Sequence, residues 1–283
     1  MTTRERLHAC LEFRRPDRVL YFSMRAPIPT VERWEKESLP KGADLAEYFG
    51  LDATLTPFWR ISPNLGPLPN RGKITIEETE EYVVEKDTLG ALVKMHKSRK
   101  DYGGQHYIDF PVKDKATFNR VKPFFNPSVK NRYPSDWDQR IEQWAKRDYP
   151  LFLSIPGPFS FIRSLMGMEG LCLATHEQPA LIEEMVEFLT TFVIDAIEKA
   201  LNDVEVDVLL FGGEDMAYKN ASIISPESVR RFMFDSYRRT YLWRDSGTTR
   251  ISSGSSAGKC EADPDFATPQ SDSHTRDFQC AGT

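Results

Sequence analysis

Residues 1–244 switch repeatedly between short continuous apolar runs and apolar positions spaced three or four apart. The first pattern marks strands buried on both faces, the second marks amphipathic helices. Thr2 and Glu5 form a capping box ahead of Leu7, Cys10 and Leu11, which predicts a helix over about 3–13. A turn at RRPD leads into Val19-Leu20-Tyr21-Phe22, a short buried strand. Thr30 to Lys36 and Asp44 to Phe49 read as short helices, the second stopped by Gly50, and Asp52 to Phe58 reads as a strand.

Residues 71–97 follow another rule. They are rich in β-branched residues and break at Asp87 and Gly90, which predicts antiparallel strands inserted into the alternating pattern. A connector punctuated by Pro111, Pro123, Pro127 and Pro134 carries a helix near 114–121. Its aromatics (Phe118, Phe124, Phe125, Tyr133, Trp137) are expected to pack across an open barrel bottom or a dimer face. Ser135 is placed to cap a helix with Trp137, Ile141, Trp144 and Ala145 on one face.

Leu151 to Ile155 is an apolar strand ended by Pro156-Gly157-Pro158. Pro179 opens the strongest helix, with a stripe of Leu181, Ile182, Met185, Val186, Leu189, Phe192, Val193, Ala196, Ile197, Ala200 and Leu201. Val206 to Phe211 is a strand running into GGED, and Ser225-Pro226 caps a helix through about Arg244 with Val229, Phe232, Met233, Tyr237 and Tyr241 inward.

Strands at 18–23, 52–58, 151–155 and 206–211, separated by helices, imply an α/β fold with a parallel sheet covered on both faces. Four strands are half of what a closed eight-stranded barrel requires. They leave two unpaired edges, so the expectation is a marginally stable chain, inactive alone.

Composition changes the picture only at the end of the chain. Of 283 residues, 40% are hydrophobic and 28% charged, an ordinary globular balance that excludes coiled coil and collagen. Residues 245–283 contain no Leu, Val, Met, Trp or Tyr, but seven Ser, five Thr and four Gly. Such a segment buries too little apolar surface to offset its ordering entropy, and it is expected to be disordered. The domain division is therefore 1–244 and 245–283.

A net charge of −5 offers no basic face for nucleic acid. No run approaches a membrane span, and Arg4, Glu5 and Arg6 stand where a signal peptide needs apolar residues, so a cytoplasmic location is expected. Cys10, Cys172, Cys260 and Cys280 form no CxxC pair and read as free thiols. His8, His96, His106, His176 and His274 have no second ligand at helical spacing, so no metal is expected; no nucleotide fingerprint is present.

The chemistry-bearing candidates lie where strands end. Glu214 and Asp215 follow the strand 206–211 after two glycines, as an acid/base pair, a metal contact, a partner for a cationic substrate, or a pair that solvates a loop or caps the next segment. Arg25 ends the first strand, where a guanidinium suits a carboxylate or instead pairs with Glu214 or Asp215. Trp59 and Arg60 end the second strand, either flanking a flat conjugated ligand or packing at the rim. Tyr218 follows the carboxylates as a proton donor or a solvated loop residue.

Several stretches together resemble the uroporphyrinogen decarboxylase superfamily: TTRERLHACLEFRRPDRVLYF, TVERWEKESLPKGADLAEYFGLD, LFLSIPGPFSFIRSLMGMEGLCLATHEQPALIEEMVEFL and GGEDMAYKNASIISPESVRRFMFDSYRR. The resemblance covers about 1–244. It implies a TIM barrel, here incomplete, with chemistry at the C-terminal strand ends, and a small-molecule substrate, a tetrapyrrole or a methylcorrinoid. Met24-Arg25 matches the start of the decarboxylase's substrate-carboxylate motif, but Ala26 to Pro29 continue it without the second arginine. The family's catalytic aspartate would fall near Trp59 or Arg60, and its tyrosine near Ser164 or Leu165.

In the decarboxylase reading Arg25 holds an acetate carboxylate, Glu214 or Asp215 stabilises a protonated pyrrole, and no cofactor is required. The alternative is a corrinoid-dependent methyltransferase whose zinc ligands, one His and two Cys, belong to a region replaced here by 245–283; zinc and corrinoid enter only in that reading. A truncated or frameshifted gene end accounts for such a tail. The remaining expectations are an inactive gene fragment and, for the intact relative, a possible homodimer.

Overall fold

The computed structural model describes residues 1–23, 26, 28–54, 60, 61, 63–98 and 105–242. In chain order the elements are α1 (Thr3–Leu11), β1 (Phe22–Ser23), α2 (Ile28–Lys36), α3 (Leu45–Tyr48), β2 (Ala53–Thr54), β3 (Arg60–Ile61), β4 (Ile74–Glu78), β5 (Tyr82–Lys86), β6 (Leu92–His96) and β7 (Gln105–Asp109). Then come α4 (Lys115–Val121), α5 (Trp137–Trp144), β8 (Phe152–Pro156), α6 (Pro158–Glu177), α7 (Pro179–Asp203), β9 (Val208–Gly212), α8 (Pro226–Phe232) and α9 (Phe234–Leu242).

The parallel strands fall into a pair, β1-β2, and a triplet, β3-β8-β9; β4 to β7 form an antiparallel meander. The described residues form no closed barrel. The strand expected at 18–23 shortens to two residues, with Val19 78% exposed. The one expected at 52–58 shortens to Ala53–Thr54, residues 55–59 lying outside the described ones, and Arg60–Ile61 adds a fifth parallel segment. The insertion gains a fourth strand, β7, which its mixed composition concealed. The segment 245–283 lies outside the described residues, as do Cys260, Cys280 and His274.

The long helices follow their apolar stripes. Every stripe residue predicted for α7 is buried, and α7 packs on α6. Leu153, Ile155 and Leu209 point to these helices and join the main core. The aromatic connector covers α7, correcting the expectation of a barrel-bottom or dimer surface. Phe118 meets Phe188 edge to face, Phe125 meets Phe188 and Phe192, and the Trp137 indole donates to Asp203 at 2.7 Å. The Tyr133 hydroxyl enters the α7 ladder itself, donating to the Ala196 carbonyl and accepting from the Ala200 amide; burial pushes its pKa up to about 12. Helix α5 starts after Asp136 without a side-chain cap, so Ser135 does not have the capping role expected of it. The helix expected from Ser225 breaks near Met233 into α8 and α9, although Ser225 caps it as expected through the Ser228 amide.

Helix α1 closes the N-terminal end of the parallel strands. Leu7 packs on Phe152 and Val208, while its charged neighbours reach two buried aspartates. Asp52 accepts from Arg6 and, through both oxygens, from Arg18. Asp207, 2% exposed, accepts from Arg4, His8, Arg147 and the Leu151 amide at 2.6–2.9 Å. Burial alone would raise the Asp207 pKa, but these four donors hold it below the ordinary aspartate value.

Inside α6 the helical path breaks at Gly167, where φ is +76°. A Cβ there would lie 2.4 Å from the Phe110 ring, which seals the end of the antiparallel insertion onto α6. Gly167→Ala combines left-handed strain with overpacking and is expected to destabilise the chain by roughly 3 kcal/mol. A shift in the urea midpoint at unchanged slope measures this; an unchanged midpoint would show that the Phe110 contact is not close-packed.

Among the described residues, no helix is long and apolar enough to cross a membrane.

Candidate functional site

Strands β8 and β9 run in register from Phe152 opposite Val208 to Pro156 opposite Gly212, so their C-terminal ends are level. From each end the backbone turns away through glycine. Gly157 leads into α6, and Gly213, at φ +77°, turns the chain leaving β9. A Cβ on Gly213 would stand 3.0 Å from the Ser160 Cβ, so the two loops touch.

This turn lays Glu214 directly over Gly157. A Cβ at Gly157 would be 2.3 Å from the Glu214 carboxyl carbon. One carboxylate oxygen accepts from the Ser160 amide at 2.9 Å, in the first turn of α6. Gly157 offers no side-chain cap, so Glu214 supplies one from a different loop, where the helix dipole favours an anion. The other oxygen accepts from the Tyr237 hydroxyl on α9. Burial first, and the Glu214 charge second, push the Tyr237 hydroxyl far above the ordinary tyrosine value, so it stays protonated and donates. Its ring meets Phe211 of β9 edge to face at 5.3 Å. The result is one fixed negative charge at the mouth of two parallel strands, in the position where this class of sheet gathers its chemistry.

The adjacent carboxylate behaves differently. The Asp215 side chain is 78% exposed and stands 3.5 Å from Arg163, an exposed and therefore weak pair. The expected pairing of two carboxylates thus resolves into one anchored group and one solvated one. Alternation along the strands puts Ser154 and Leu210, a register pair, on the face opposite the helical core, where both are half-buried. They form the wall below the mouth.

The two other expected site residues that are described, Arg60 and Tyr218, do not converge here. Arg25 and Trp59 lie outside the described residues. Arg60 does not end its strand at the mouth: it pairs with Phe152, at the N-terminal end of β8. Four residues separate Phe152 from Pro156, which places Arg60 about 13 Å below the mouth layer along the strand direction. Tyr218 is 72% exposed, beside a small antiparallel bridge of Ala217 and Ser222. Tyr237 was expected only as a core residue. A tyrosine within a Val, Phe and Met stripe is the available signal, because its polar tip requires a partner when buried.

Among the described residues, no group of three His, Cys, Asp or Glu side chains is placed to hold a metal. The two partners of Glu214 are donors, and the described histidines do not assemble: His8 is engaged by Asp207 and His96 by Ser98. The described residues therefore do not fit a zinc site. An open cleft of about 740 Å³ lies at the N-terminal end, lined by Arg4, Glu5, His8, Arg14, Arg147 and Glu205 among others. Its arginines are already paired, Arg4 and Arg147 with Asp207 and Arg14 with Glu12, so it reads as the rim of the structural network.

No family model matches the chain, and no curated protein matches it in sequence. A methyltransferase from Methanosarcina mazei is a solved structure to which it is similar at 16% identity, with 89% of this chain and 70% of that chain covered and a TM-score of 0.47.

Proposed function

We propose that the chain is a member of the uroporphyrinogen decarboxylase superfamily and acts on a small molecule at the β8-β9 mouth, by methyl transfer from a methylcorrinoid-type donor rather than by decarboxylation of a porphyrinogen. The resemblance of 1–244 supports the superfamily and, with it, a barrel of the TIM type to which β1, β2, β3, β8 and β9 contribute. The observation that carries the site is the Glu214 carboxylate, fixed at the level ends of two parallel strands by donors from α6 and α9.

The choice within the superfamily rests on what stands at the decarboxylase positions. Ser164 spends its hydroxyl on the Phe161 carbonyl, Leu165 is fully buried, and Arg60 sits at the far end of its strand. None of these replaces the family's tyrosine or aspartate. Methyl-transferring relatives activate a thiol on zinc. The described residues do not fit that metal, and no step is assigned to it. What this chain contributes is a preorganised anion, which would favour the transient positive charge on a neutral thiol sulfur as it gains the methyl group and releases its proton to water, the methyl–cobalt bonding pair staying with the corrinoid.

The test uses the full chain in two assays. Methylcobalamin with an alkyl thiol, followed by loss of the methyl–cobalt absorption, is expected to react, and Glu214→Gln to slow the reaction about 100-fold or more. Release of carbon dioxide from uroporphyrinogen would overturn the choice in favour of decarboxylation. No turnover in either assay would support the inactive-fragment reading.

A further inference from the structure

We propose that Tyr237 is the positioning residue of this site: its hydroxyl, delivered by α9, sets the direction in which the Glu214 carboxylate faces the strand mouth. The inference rests on the functional reading above only for its catalytic consequence; the geometric part stands by itself.

A glutamate on a loop has several rotatable bonds, and one hydrogen bond to the Ser160 amide leaves the carboxylate free to pivot about that contact. A second bond from a separate element removes the pivot. Helix α9 is well suited to supply it. Ser236, next to Tyr237, is buried and hydrogen-bonded to Thr190 of α7 at 2.6 Å, and Thr240 bonds back to the Ser236 carbonyl. The Tyr237 ring is held against Phe211 within β9, and its oxygen lies 4.0 Å from the Met216 sulfur. The hydroxyl's strong acceptor is therefore Glu214, the Met216 sulfur being the weaker alternative. With its donor spent there, Tyr237 does not serve as the proton donor to substrate. It acts through Glu214.

Tyr237→Phe removes one oxygen and keeps the ring. The variant is expected to keep the far-ultraviolet circular dichroism of the full chain. The Glu214 carboxylate stretch, assigned in the infrared as the band lost in Glu214→Gln, is expected to shift and broaden. In the methyl-transfer assay kcat is expected to fall about 10–100-fold while KM changes less than about twofold. An unshifted carboxylate band overturns the proposal, whatever happens to activity. A shifted band in a chain whose wild type transfers no methyl group leaves the positioning intact and sinks the functional reading instead. Should Tyr237→Phe not fold, the reciprocal measurement applies: the near-ultraviolet difference spectrum of Glu214→Gln is expected to show the perturbation of one tyrosine, and its absence overturns the proposal.

Discussion

Replacing Asp207 with alanine is expected to lower the melting temperature of the full chain by roughly 6–20 °C, the counterpart of about 3–5 kcal/mol. The size follows from what the substitution leaves behind. Arg147, 3% exposed, loses its carboxylate while still buried, Arg4 loses one of its two acidic partners, and the Leu151 amide at the start of β8 loses its acceptor. The same network tethers α1, because Arg4 and His8 both reach Asp207 from that helix.

The pH dependence has a definite sign. Asp207 has a lowered pKa in the folded chain, so its contribution is complete above the ordinary aspartate value of about 3.9 and is lost as pH falls below it. The gap in urea midpoints between the two proteins should therefore be constant from pH 7 to about 4 and begin to narrow below that, by no more than about 1.4 kcal/mol per pH unit. A constant gap down to pH 3 would show that the loss comes from packing and not from the carboxylate.

Gly157→Ala is expected to abolish most of the activity, a loss of about 100–1000-fold if Glu214 is the main electrostatic contributor, at a stability cost of about 1–3 kcal/mol from the lost helix cap and the unpartnered Tyr237 hydroxyl. Gly157 has φ −85° and ψ 165°, a conformation alanine adopts without strain. The conflict is local: the new Cβ occupies the space of the Glu214 carboxyl group, the far end of a flexible side chain that swings away. Swinging away breaks the bonds to Ser160 and Tyr237 together. Turnover and thermal denaturation measured on the same preparation separate the two effects. Full activity in Gly157→Ala would mean that Glu214 is not at the reacting centre.

Much of the architecture was legible along the chain, for a physical reason. Periodicity is local, and α7, β8 and β9 are long or apolar enough for their own burial to dominate their conformation. The capping box at Thr2 and Glu5 is likewise local, and it is present. The segment at 52–61 was legible only in part, because its strand residues are short, interrupted and dependent on two different partners, β1 for Ala53–Thr54 and β8 for Arg60–Ile61. The pairing partner, not the composition, moved Arg60 from the expected mouth to the opposite end.

By itself the sequence determined the kinds of element, their order, and the arrival of two carboxylates just past a strand end. It did not determine which carboxylate becomes the site. Glu214 and Asp215 are neighbours of the same charge, and the choice between them was made by the Gly213 turn, by the uncapped end of α6 lying 54 residues earlier, and by a tyrosine 23 residues later. The buried aspartates are the same case at greater range, since Asp207 meets Arg4 and His8 across separations of 203 and 199 residues. Fixing a side chain's charge and direction requires donors from elements distant in the chain, and only the packed structure brings them within 3 Å.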